Sequence, residues 1–154
     1  MRAALVAANL VMVGQVCVPG VLWAQSPTLS IVISMPNTAI RAATPIQLGV
    51  SMTNGSNRFV LVPSTRVPAP FSGVTIRNDA TGQYVKSRLE AQGDLRVTVN
   101  EHAAAIRAGQ TVTEHSNLRW WFDLGPGQYA VCVKKKDPVT GNQVVSNTVE
   151  FTVK

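Results

Sequence analysis

Beyond residue 28 the chain is built from short runs in which apolar and polar positions alternate, the period-2 pattern of half-buried strands. Residues 29–34 open the series and end before Pro36-Asn37. Residues 46–53 alternate strictly, with Ile46, Leu48, Val50 and Met52 on one face. Asn54-Gly55-Ser56-Asn57 then predicts a tight hairpin turn, because Asn-Gly accepts the positive φ such turns require. Residues 59–62 continue as a strand. Residues 63–72, with Pro63, Pro68 and Pro70, predict an exposed loop. Further strands are expected at 74–77, 84–87, 95–99, 110–118, 129–135 and 144–153, with a turn at 78–82. Residues 101–108, alanine-rich and ending at Gly109, suit a short helix or a turn. Strands and turns at this spacing predict an all-β sandwich of seven to nine strands with almost no helix.

The first residues follow a different pattern. Arg2 precedes an apolar run over residues 3–13, Pro19-Gly20 breaks any helix, and Ala24 supplies a small residue for cleavage. That order predicts a secretory signal peptide over 1–24, leaving a single exported domain over 25–154. A membrane helix over residues 3–24 is the competing assignment on length. Asn9, Gln15 and the Pro19-Gly20 break argue against it, so no membrane span is expected after cleavage.

Composition narrows the class. The chain has 154 residues and is 45% hydrophobic, enough for one core and too much for wholesale disorder. Cys17 lies in the leader, so Cys132 is the only cysteine of the mature chain and no intramolecular disulfide can form. A strand cysteine of this kind packs as a small hydrophobe or bridges to another molecule. Fourteen Lys and Arg against eight Asp and Glu give a net charge of +6. These charges are scattered except for Lys134-Lys135-Lys136, expected as a solvated strand end that discourages edge pairing. Nucleic-acid binding wants a denser basic stripe with aromatics interleaved, and is not expected.

Leu124-Gly125-Pro126-Gly127-Gln128-Tyr129 is the most informative stretch. Pro126-Gly127 makes a turn, and Tyr129 starts a strand with Val131 and Val133 on its own face. The stretch resembles the tyrosine corner of immunoglobulin and fibronectin type III sandwiches, where the hydroxyl bonds upstream backbone. Leu124, Pro126, Gly127 and Tyr129 are therefore the fold-defining residues. Val131 stands where an immunoglobulin domain has its second cysteine, and Cys132 points to the other face. With Ala108-Gly109-Gln110-Thr111 before the corner and Ser146-Asn147-Thr148-Val149 in the last strand, residues 29–153 resemble exported bacterial immunoglobulin-like domains of unknown function. A weaker similarity, carried by Asn54-Gly55-Ser56-Asn57, residues 74–79 with Gly82, and Ala108-Gly109-Gln110-Thr111, is to bacterial intracellular proteinase inhibitors, which are also small β-sandwiches. Such motifs report fold far better than activity.

Searches for chemistry return little. No Gly-x-Ser-x-Gly elbow accompanies the two histidines, His102 and His115, and nothing in the spacing joins either to Cys132. Glu101-His102 and Glu114-His115 are imidazole–carboxylate pairs, but adjacent strand residues face opposite ways and offer one ligand per side. They are expected as surface polar residues. Asp123 is expected to support the corner turn. No enzyme activity, cofactor or metal is predicted.

Two features remain as contacts for a partner. In Trp120-Trp121-Phe122, alternation sends Trp120 and Phe122 one way and Trp121 the other, making Trp121 a candidate exposed indole. The proline loop carries Arg66, Val67 and Phe71, and its restricted φ angles lower the cost of ordering on binding. Asn54-Gly55-Ser56 matches a glycosylation acceptor, for which the turn is the better assignment. The expectation is a periplasmic or extracellular, non-catalytic module contacting a protein or cell-envelope component. The alternative is a proteinase inhibitor that presents residues 63–71, with Arg66 entering a specificity pocket.

Overall fold

The computed structural model describes residues 27–66, 73–93 and 103–154. The leader over 1–24, the expected strand at 95–99, the Glu101-His102 pair, Val67 and Phe71 lie outside the described residues. Among those described there are ten strands: β1 (Leu29–Ser34), β2 (Ala39–Ile40), β3 (Gln47–Asn54), β4 (Val60–Pro63), β5 (Val74–Asn78), β6 (Ala103–Ile106), β7 (Thr111–Asn117), β8 (Gly127–Lys136), β9 (Gln143–Val145) and β10 (Val149–Val153). A short helix, α1 (Arg88–Gln92), lies between β5 and β6, and a 3-10 turn covers Leu118–Trp120.

The strands form two facing sheets and a ribbon. One sheet runs β1-β3-β7, antiparallel throughout. The other runs β2-β10-β8-β5, with β9 also paired to β8. β2 lies parallel to β10 and the remaining pairs are antiparallel. β4 and β6 pair only with each other. This is an all-β, immunoglobulin-like sandwich.

The predicted alternation is what fills it. Ile46, Leu48, Val50 and Met52 are all fully buried, and Ile76, Val131 and Val133 meet them from the second sheet. Full burial of each such side chain contributes about 1.5–3 kcal/mol. The tyrosine corner is present. Tyr129 Oη donates to the Gly125 carbonyl at 3.0 Å, and its ring stacks on Phe151 with centroids 5.5 Å apart. Leu124 is buried beneath the turn, Pro126 is exposed, and Gly127 lies against the Tyr129 ring.

Several expectations are corrected. The described strands number ten, beyond the seven to nine expected, because Ala39–Ile40 and Ala103–Ile106 are strands the pattern did not mark and the last run is split. After β9, Ser146 Oγ accepts from Val133 N at 2.9 Å and donates to the Asn147 carbonyl, diverting the chain before β10. Asn147 then pairs with the free edge of β1, its Oδ1 accepting from Ile33 N at 2.8 Å and its Nδ2 donating to Ile33 O at 3.1 Å. Residues 103–106 form a strand, not a helix or turn, because they complete the ladder Val60↔Ile106 to Pro63↔Ala103. The helix lies instead at 88–92, with Ser87 and Glu90 making a reciprocal capping box and Gly93 closing it at φ 69°. Residues 84–87 make only isolated bridges, at Tyr84 and Ser87.

Asn54 does not head a tight hairpin, since β3 and β4 are not paired with each other. Its buried amide organises the bend: Nδ2 donates to the carbonyls of Arg58 and Ile106, while Oδ1 accepts from Ser56 N and Oγ. A side chain so committed is no glycosylation acceptor in the folded state.

Candidate interaction surface

The sandwich encloses one polar cluster where β4 ends. In β7, alternation turns Glu114 and Ser116 inward. In β8, it turns Val131, Val133 and Lys135 inward from the opposite sheet. Glu114 and Lys135, only 7% and 5% exposed, therefore lie inside the molecule. Both were expected at the surface, and both are corrected by the same strand period that placed their apolar neighbours.

The residues after Pro63 satisfy these charges. Ser64 Oγ donates to Glu114 Oε1 at 2.6 Å, and Thr65 donates through N and Oγ1 to Oε2 at 2.6 and 2.7 Å. Lys135 Nζ donates to the Pro63 carbonyl. Burial alone would raise the Glu114 carboxyl, but the bonds from Ser64 and Thr65, with the Lys135 charge, hold it below the ordinary glutamate value. Burial pushes the Lys135 ammonium down to about 8, against the opposing pull of Glu114. A buried charge costs less when it is hydrogen-bonded, and here those bonds fix the chain at Pro63, Ser64 and Thr65.

Arg66 follows directly and is exposed, with its backbone N bonded to Ser64 Oγ at 3.1 Å. The chain rejoins the sheet at Gly73, whose carbonyl accepts from Lys134 N. Gly73 has φ 75°, and a Cβ there would collide with the Lys134 carbonyl, so only glycine fits. Asp137, in the turn after β8, is fully buried and ties down the N-terminal strand. It accepts from Thr28 N at 2.7 Å, Leu29 N at 3.2 Å and Val139 N at 2.8 Å. Burial opposes ionisation of Asp137, and these donors more than offset it, leaving its carboxyl far below the usual range.

The tryptophans are arranged differently from the alternation expected. The 3-10 turn at Leu118–Trp120 interrupts the strand period, so Trp120 is 61% exposed while Trp121 is half-buried against the core and Phe122 is buried. The exposed indole is Trp120. Asp123 does not support the corner; it is exposed and ion-paired with Arg88.

Cys132 is half-buried on the outer face of its sheet, with Sγ 3.1 Å from Thr75 Oγ1. His115 is exposed beside Gly49. Among the described residues no three His, Cys, Asp or Glu side chains group as metal ligands. None of their helices is long and apolar enough to cross a membrane.

No protein-family profile matches the chain, and no curated protein matches it. Solved structures similar to it share low identity. A CARDB domain from Pyrococcus furiosus, solved in complex with di-metal ions, is 12% identical with a TM-score of 0.47, over 84% of this chain and 90% of that one. An alkylpurine DNA glycosylase of Pseudomonas fluorescens, bound to DNA containing an abasic site analog, is 15% identical with a TM-score of 0.45, over 83% of this chain and 31% of that one.

Proposed function

We propose that the chain is an exported, non-catalytic immunoglobulin-like module, released over residues 25–154, that binds a protein or other cell-envelope component in the periplasm or outside the cell. Its contact surface is the end of the sandwich where Arg66 emerges. One observation carries this reading: buried charges from both sheets, Glu114 and Lys135, pin Pro63, Ser64 and Thr65 immediately before an exposed arginine. Burying two charges to order a loop base is costly, and a preorganised base lowers the entropy a partner must overcome. Retention on native envelope fractions tests it. Arg66→Ala should weaken retention at least tenfold and Asp123→Ala should leave it unchanged; equal effects would refute the assignment.

The same anchor favours a second reading, a proteinase inhibitor that presents residues 63–71 with Arg66 in the enzyme's specificity pocket. A panel of serine and metallo-proteases separates the two. Inhibition that Arg66→Ala abolishes supports the inhibitor, whereas rapid cleavage after Arg66 without inhibition excludes it.

A further inference from the structure

The β4–β6 ribbon carries a face that the core does not use. Val60, Val62 and Ile106 point inward and are buried, so Phe59 and Leu61 point outward and are 56% and 55% exposed. Leu61 is paired in register with Ala105, itself exposed, which leaves the partner strand too small to cover it. Arg58 and Arg107 stand exposed at one end of the ribbon, and Arg66 just beyond the other.

None of these three arginines has an ion-pair partner among the described residues. The two ion pairs found there, Arg77–Asp79 and Arg88–Asp123, belong to the turn after β5 and to the α1–corner contact. Glu114, on the strand β7 that packs beside β6, is turned inward and used by Ser64 and Thr65.

We infer that this ribbon face binds the surface of an anionic lipid bilayer, with Phe59 and Leu61 entering the acyl boundary and Arg58, Arg107 and Arg66 on lipid phosphates. The charge pattern is complementary to such a surface, and the net charge of +5 left once Arg2 departs with the leader adds long-range attraction. The size of the face points the same way. A stable protein partner covers some 20–30 residues a side, far more than this ribbon offers, whereas a bilayer needs only a few apolar side chains ringed by cations. Arginine suits this place, since its stem lies along apolar surface while the guanidinium reaches phosphate. The inference extends the proposed contact surface from the loop base to the ribbon, and so rests on that reading through Arg66.

The test is vesicle co-sedimentation of the protein released by an exporting host, its N-terminus read by mass spectrometry. Vesicles of phosphatidylcholine alone are compared with vesicles containing one-third phosphatidylglycerol. Binding should favour the anionic vesicles by on the order of a hundredfold, fall with added salt, and drop about fivefold for each of Arg58→Gln and Arg107→Gln. Phe59→Ser with Leu61→Ser should abolish it while the thermal melt stays put, since both side chains are exposed. Arg58→Glu with Arg107→Glu gives a second, charge-reversed check. Equal binding to neutral vesicles, indifference to these substitutions, or binding to polyglutamate but not to vesicles would each overturn the inference. Because Arg66 and Glu114 stay native in every variant, failure here leaves the envelope-retention result for Arg66 standing as its own test.

Discussion

Glu114 and Lys135 show what one strand position decides. The Glu114-His115 pair reads as surface polar residues and Lys135 as part of a solvated lysine run at a strand end, yet Glu114 and Lys135 each lie on the inward register of their strand. Val112 and Leu118 bracket Glu114, and Val131 and Val133 precede Lys135 at the same period. The alternation that marked Val50 as core therefore already contained both charges; what it lacked was Ser64 and Thr65, distant in sequence, to make their burial tolerable. Tyr129 was legible because its partner is local, four residues away.

Two consequences belong at this scale. Glu114→Gln puts an amide where three donors converge and removes the pull of the carboxylate charge on Lys135, which should cost about 2–4 kcal/mol in urea unfolding and speed trypsin cleavage after Arg66. Lys135 gives a pH effect of definite sign. Its folded value, about 8, lies below the unfolded 10.5, so across that window the unfolded chain binds more protons and stability rises with pH. The gain, up to about 3 kcal/mol, should appear in denaturation curves at pH 8 and 10.5 and be absent from Lys135→Met.

Elements were read well where their signal was apolar. β1 was placed residue for residue, and β3 to within one position. Alanine misled at residues 103–106: it is a strong helix former, but small side chains are also what a ribbon paired to Leu61 and Pro63 accepts. The helix at 88–92 had its own signature, Ser87-x-x-Glu90 followed by Gly93, which the strand pattern of its neighbours obscured. The Ser146-Asn147 break was visible only as a motif, and its meaning is geometric, because the Asn147 amide takes the place of a strand along the edge of β1. Asn147→Ala should therefore release that edge. Amide exchange in Leu29–Ser34 should quicken about tenfold while β8 remains protected, and uniform acceleration would mean the two sheets open together.

Over the whole molecule, the pattern of alternation and turns was enough to identify a two-sheet sandwich, because a core of this kind needs only repeated inward faces and a corner. It could not reveal that residues 63–65 are anchored from inside the sandwich. That depends on Glu114 and Lys135 reaching residues 63–65 across the interior, a convergence with no local trace. Trp120 and the Arg88–Asp123 pair belong instead with the 3-10 turn after β7 and with α1.

Photo-crosslinking in cells producing the full chain tests the anchored end most directly, with a benzophenone side chain placed at position 67, next to a retained Arg66, or at position 123. The anchored-end assignment predicts one discrete adduct from position 67, none from 123, and loss of the position-67 adduct when Glu114 is replaced by Gln. Adducts of equal yield from both positions, or none from 67, would contradict it.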